Sequence, residues 1–447
     1  MRNRRRVPVL ALALAVSLVA AACSNSDTKA SGVSSTTAGG SGGADVENPG
    51  KNVPVDAPGV TDTEIRVGGV ASVTNPLGGT YGDAFEGVKA YFDMVNASGG
   101  IYGRKLVLAA ERDDKLGNNK VEVEGLLTQD KVFAVLPVAS LLFTGADTLV
   151  KENVPTFGWT INLEWQGSDA NPKSNLFGQT GSFLCFDCPS PTLPWLAKQT
   201  DRHKVAVLSY AVEQAAKCAD GVKAAFDKYG EAADAELAFI DKSLAFGNAD
   251  LSVQVSKMKQ AGVDLVTTCL DLNGVVTLAK EMKKQELKAI AYLPNAYDHE
   301  FVDEFGDLFE GSYVRTDFVQ WEVEDKPEGL QTYLDAIDEA GQEPSENSLV
   351  GWLNADLFVT GLREAGPAFS REKLIDAVNK LTNYKAGGII TGVDWTTAHT
   401  SLAREGEACQ FLSKIVDSEF KPVFAKPGKP FVCAVDKGGE LVTRYDA

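Results

Sequence analysis

From residue 65 the chain alternates between short apolar runs and segments whose apolar residues recur at helical spacing. Residues 65–72 (IRVGGVAS) read as a buried strand running into a loop, 74–82, rich in Gly, Thr and Pro. Phe85, Val88, Phe92 and Val95 then mark one face of a helix, and Gly99-Gly100 supplies its stop. A strand over 106–110, a helix over 120–128, a strand over 132–136, a helix over 144–151 and a strand over 155–157 continue the rhythm. Strands that alternate with helices predict a mostly parallel sheet covered on both faces.

The rhythm then repeats. Strands are predicted over 204–208, 235–240, 264–269 and 289–293, with helices over 215–229, 250–260 and 274–284 between them. The two halves correspond best where FAVLPVAS and DLVTTCLD each leave a strand for a polar loop and a helix, so the pattern gives two similar α/β domains and no short-period array. Residues 326–381 are helical, through Leu330, Leu334 and Ile337, then 349–362, then 374–381. QFLSKIV and KPVFA change character and read as antiparallel strands. In open α/β sheets ligands bind beyond the carboxyl ends of the strands, which puts the expected site in a cleft between two facing sheets.

The N-terminus changes where this body sits. Arg2, Arg4, Arg5 and Arg6 precede an apolar run, 7–19, and then Ala20, Ala21, Ala22 and Cys23. The run is shorter than the roughly 20 residues that span a bilayer, and its flanks fit a secretion signal. Small residues before a cysteine resemble a lipobox, although Ala20 stands where Leu or Val is usual; an ordinary signal with a chance cysteine is the alternative. Residues 1–22 are therefore expected as a lipoprotein signal peptide and Cys23 as the lipidation site. Residues 23–59, rich in Ser, Gly, Thr, Ala and Pro, are expected as a disordered tether reaching on the order of 30 Å. The expected location is the extracytoplasmic face of the cell membrane.

Net charge is −18, and −22 without the four signal arginines, which argues against a nucleic-acid or anionic-lipid partner. Besides Cys23 the chain holds Cys185, Cys188, Cys218, Cys269, Cys409 and Cys433, an even set that reads as disulfides in an exported protein. Pairing of 409 with 433, of 218 with 269 and of 185 with 188 is one possibility among several. Zinc at the close pair lacks a neighbouring His or second pair.

TDTEIRVGGVAS, GTYGDAFEGVKAYFDMVNASGGIYGRKL and the acidic ERDD resemble the opening of the type I periplasmic binding proteins, nearest to the Leu/Ile/Val class of ABC-importer receptors. The likeness runs in order and spacing from about residue 60 to the C-terminus. It implies an α/β fold of two doubly wound parallel-sheet lobes joined by three crossing strands, near 181–183, 314–317 and 411–415. Lobe one would be 60–182 plus 318–410, and lobe two 183–317 plus 411–447. It further implies hinge closure over a small polar solute (an amino acid, an amide or a related carboxylate) and docking on a membrane permease, with no cofactor and no metal.

Carried onto this chain, the resemblance makes Ser140 and Thr144 ligand-carboxylate contacts at a helix N-terminus, where unpaired N–H groups favour an anion; either residue equally serves as a helix cap. Thr160 and Asn162 match the contacts to a ligand amino group, with Trp159 as a candidate wall, and Tyr81 matches an aromatic contact. Tyr210 and Asp271 should face the cleft from lobe two. The carboxylate that usually pairs with a ligand ammonium is here Asn295, so Asp271 or Asp298 would have to replace it, although both also read as loop acids or caps. An enzyme is not expected: His203, His299 and His399 lie on separate segments and read as surface or capping residues. No nucleophile elbow or P-loop is present, and Asp113-Asp114 reads as a strand closure. A ligand sensor signalling to a membrane partner is the alternative; a neighbouring permease gene would favour import, and a kinase gene sensing.

Overall fold

The computed structural model of the chain describes residues 52–181, 187–245, 247, 250–400 and 409–446. The signal segment, Cys23, the tether up to residue 51, and Cys185 lie outside the described residues, as does most of the first expected crossing. The tether's last stretch is part of the body: the Arg104 guanidinium donates to the carbonyls of Val53, at 2.8 Å, and Thr61, at 2.6 Å.

The first sheet forms from β1 (Glu64–Ala71), β2 (Lys105–Asp113), β3 (Ala134–Ala139), β4 (Thr156–Gly158) and β5 (Leu176–Gly178). Its order is β2-β1-β3-β4-β5 and every pairing is parallel. Between these strands run α1 (Asp83–Ala97), α2 (Asn119–Thr128) and α3 (Ala146–Lys151). Phe85, Val88, Phe92 and Val95 of α1 are buried, as their spacing requires. The helix ends where Gly99 and Gly100 both take positive φ, a region closed to most side chains, and the Gly100 N–H returns to the Val95 carbonyl.

The second sheet begins after α4 (Thr192–Gln199). β6 (Lys204–Tyr210), β7 (Glu236–Leu244), β8 (Leu265–Cys269), β9 (Ile290–Leu293) and β10 (Tyr313–Thr316) alternate with α5 (Glu213–Ala233), α6 (Ser252–Ala261), α7 (Leu272–Lys284) and α8 (His299–Phe305). Three helices follow, α9 (Glu328–Glu339), α10 (Glu346–Ala365) and α11 (Arg371–Val378), and then the strands β11 (Cys409–Val416), β12 (Glu419–Val423), β13 (Phe431–Asp436) and β14 (Leu441–Asp446). The order is β14-β13-β11-β10-β9-β8-β6-β7, with β12 pairing β11. The strands β6–β10 pair in parallel; β11 runs antiparallel to β10.

The chain therefore crosses between two bodies. α10 follows the second sheet in sequence but packs on α1, β3 and β4 of the first. It is apolar nearly all round, Leu349, Leu353, Leu357 and Leu362 being fully buried, which is what a helix enclosed on all sides needs. Two glycines set its approach to α1: a Cβ at Gly87 would lie 1.7 Å from the Ser348 carbonyl oxygen, and one at Gly351 would lie 1.9 Å from that of Ala84. Disulfides join Cys218 to Cys269 and Cys409 to Cys433, the latter facing each other in the β11–β13 register. Cys188 is also disulfide-bonded. No helix among the described residues is long and apolar enough to cross a membrane.

Candidate ligand-binding cleft

The carboxyl ends of the parallel strands in both sheets open onto one cleft of about 1540 Å³. That is larger than the 300–1,000 Å³ typical of a closed small-molecule pocket, so a solute and its water fit together. From the first sheet come Tyr81, in the loop after β1; Trp159, Thr160 and Asn162, after β4; and Gln179, directly after β5. The second sheet contributes Tyr210 at the end of β6, Asp271 after β8, Asn295 after β9, and Arg315 with Asp317 at β10.

Six of the eight ligand positions expected from sequence thus line the cleft: Tyr81, Thr160, Asn162, Tyr210, Asp271 and Asn295. Ser140 and Thr144 do not. The Ser140 hydroxyl is buried among protein partners, donating to the Val70 carbonyl at 3.3 Å and accepting from Asn119 Nδ2 at 3.0 Å. Asp114 sits in the same network, accepting from Ser72 Oγ at 2.7 Å and Asn119 Nδ2 at 3.0 Å. This buried knot ties β1, β2 and β3 together and uses up the hydroxyl that the resemblance would give to a ligand. Thr144 is exposed and accepts from the Lys120 N–H at 3.3 Å, in the first turn of α2. Leu141 and Leu142 face the cleft from that loop instead, so its contribution there is apolar.

The remaining groups have defined duties. Asp271 caps α7, accepting from the Gly274 N–H at 2.8 Å, and accepts from the Tyr210 hydroxyl at 3.1 Å. Asp298 caps α8 through the Phe301 N–H at 2.8 Å, the bland role its sequence context allowed, yet it also borders the cleft. Asn295 donates to the Leu270 carbonyl at 3.0 Å, and its buried Oδ1 has no partner among the described residues. Tyr81 and Trp159 set their rings 6.2 Å apart on one wall. Burial, and after it the carboxylates of Glu346, Asp271 and Asp298, push the Tyr81 hydroxyl up to about 12.

Several cleft residues carry no sequence signal of a site. Glu346 stands in the first turn of α10, where an acid is ordinary. It reaches the cleft because the glycine crossing brings the start of α10 against the start of α1, with Ser345 Oγ donating to Asp83 Oδ2 at 2.9 Å. Burial, with Asp317 and Asp298 adding to it and Arg315 opposing, pushes the Glu346 carboxyl up to about 8. Arg315 donates to Asp317 at 2.6 Å; burial works against its charge, but Asp317, Tyr292 and Glu346 outweigh that and raise its pKa. His299 is exposed, as expected, but engaged: Nε2 lies 2.6 Å from Glu322, and its ring stacks on Trp321 with centroids 5.0 Å apart, at the cleft edge. His399, by contrast, is no surface residue but lies buried, while His203 is exposed, as expected.

No curated protein matches the chain by sequence. The LivJ branched-chain amino acid binding protein of Streptococcus pneumoniae, solved with isoleucine, superposes with a TM-score of 0.65 at 16% identity, over 86% of this chain and 100% of that one. A branched-chain amino acid ABC transporter protein of Thermus thermophilus with bound valine gives 0.66 at 20% identity, over 81% and 95%. A solute-binding protein of R. palustris with benzoate gives 0.62 at 14% identity, over 80% and 95%. At these identities the likeness is one of fold. The sequence itself decides the family: residues 64–408 match the one described as "Periplasmic binding protein", so this chain, with its two α/β lobes about a cleft, belongs to the periplasmic binding proteins of type I.

Proposed function

We propose that the chain is the solute receptor of an ABC importer, exported, anchored outside the membrane through Cys23, and closing its two lobes on one small solute. The observation that carries this reading is the cleft, where loops from the carboxyl ends of both sheets converge on one space lined by polar and aromatic groups. The structural neighbours support it, since proteins of this fold hold isoleucine, valine or benzoate. The ligand contacts are Tyr81, Thr160 and Asn162 on one side and Tyr210, Asp271 and Asn295 on the other. Lobe one is 60–182 plus 318–410 and lobe two 183–317 plus 411–447, with the crossings acting as the hinge.

Function follows from mass action. Solute bound between the lobes stabilises the closed form, which presents both lobe surfaces to a permease in one arrangement. The test is a thermal-shift screen of the purified mature chain across amino acids, amides, amines and aromatic acids, followed by small-angle scattering of each hit. A hit should raise the melting temperature with concentration and shrink the radius of gyration. Stabilisation without compaction removes the hinge mechanism. Cys23→Ala should release the protein from the membrane fraction.

A further inference from the structure

We propose that the captured solute is an organic cation, a protonated amine, amidine or guanidine, whose charge is met by Glu346 and whose N–H groups are accepted by Gln179 and Asn295. This names the solute class of the receptor proposed above and rests on that reading.

The charges on the walls are one-sided. Asp83, Asp271, Asp298, Asp317 and Glu346 all border the cleft, whereas Arg315 is the one arginine among the described lining residues and no lysine is among them. Arg315 is already engaged by Asp317 at 2.6 Å, so little positive charge is left for a carboxylate ligand. Of the acids, Asp83 accepts from Thr80 and Ser345, both at 2.9 Å, and Asp271 and Asp298 cap helices. Glu346 has no hydrogen-bond donor among the described residues, and its surroundings keep its carboxyl at about 8.

The unpaired neutral groups point the same way. Gln179 is only 6% exposed and faces the cleft, and its Oε1 has no partner among the described residues; Asn295 Oδ1 is likewise buried and without a partner among them. Both are acceptors. A buried acceptor without a donor is costly, and an anionic ligand would add further acceptors, whereas an N–H-bearing cation supplies what both lack. Tyr81, Trp159 and Trp321 add aromatic faces, which attract cations.

Binding should carry a proton signature. The groups facing Glu346 are Arg315 and Asp317 at β10, Asp298 before α8 and Tyr81 before α1. A cation requires the ionised carboxylate, so at pH 7 binding should release a proton, and affinity should rise by up to about tenfold per pH unit until the pH passes about 8.

The experiment is a thermal-shift and calorimetric panel on the mature chain. It uses benzamidine, benzamide and benzoate, which share one ring with positive, neutral and negative heads, together with agmatine, hexylamine, leucine, isoleucine and valine. Hits confined to net cations, weakened at least tenfold by Glu346→Gln and kept by Glu346→Asp, with proton release that varies with buffer, are the expected result. Hits among benzoate, benzamide or the branched amino acids alone, or cation hits indifferent to Glu346→Gln, overturn the proposal and leave the receptor reading standing. Should Glu346→Gln not fold, absence of proton release from the wild-type chain on binding a cation overturns it. A panel with no hit of any charge removes the receptor reading and this proposal with it.

Discussion

Glu346 and His399 each hold a titratable group where burial disfavours its charge, and each should leave a mark on stability with opposite pH dependence. The folded-state pKa of Glu346, at about 8, is above the ordinary 4.5. Its protonated form is the comfortable one, so native stability is full below pH 4.5 and declines as pH rises through about 8. Glu346→Gln should therefore match the wild type at pH 4 and exceed it at pH 8.5 by about 2 kcal/mol without ligand, the value reflecting the group's part exposure. Urea titrations at the two pH values check this, and equal gains at both refute it. Burial lowers the His399 pKa to about 4, with neither ring nitrogen partnered among the described residues, beside Phe177 and Trp395. The unfolded chain binds that proton near pH 6.5, so stability is lost as pH falls from 6.5 towards 4. His399→Leu should flatten that acid limb in melts between pH 4 and 7. Neither environment is visible in sequence: a helix-start acid and a lone histidine look the same whether buried or exposed, and only tertiary packing separates them.

Elements were legible where periodicity was strong and hidden where punctuation was misleading. The apolar face of α1 and the buried runs of β1, β6 and β8 announce themselves within a residue or two of their ends, and that of β3 within three. β5 is three residues long, too short for any period to register. α4 is not among the helices predicted from sequence, because Pro189, Pro191 and Pro194 obscure it, although proline is tolerated in a helix's first turn. What sequence spacing could not give is the α1–α10 crossing, which joins helices more than 250 residues apart through Gly87 and Gly351. Gly87→Ala should cost about 1–3 kcal/mol, because the added methyl meets a carbonyl oxygen with no flexible group to move. It should also weaken solute binding, since the same crossing delivers Glu346 to the cleft, whereas Gly117→Ala, with open space about its Cβ, should do neither. Chemical denaturation and calorimetry on the two variants separate the cases.

At the scale of the whole molecule, the two-lobe plan and the return of 326–381 to the first body follow from strand–helix alternation and the resemblance, while the position of the lobes does not. Contacts that span the cleft rim away from the crossings include two side-chain bonds: Asn273 on α7 donates to the Pro76 carbonyl at 3.2 Å, and Gln214 on α5 donates to the Ile161 carbonyl. Each joins a helix start of the second body to a loop of the first, so neither survives if the lobes swing apart. A hydrogen bond of this kind contributes about 0.5–1.5 kcal/mol net. On the hinge motion proposed above both are lost on opening, so their whole contribution bears on the open–closed equilibrium. Asn273→Ala with Gln214→Ala should then enlarge the radius of gyration of the unliganded chain and weaken every solute by about fivefold or more. The order of preference among solutes should stay unchanged, because neither side chain is among the proposed ligand contacts. A double variant that reorders the solutes would instead make these two residues part of the ligand site. One that changes neither size nor affinity would mean that closure is governed elsewhere, at the crossings between the lobes.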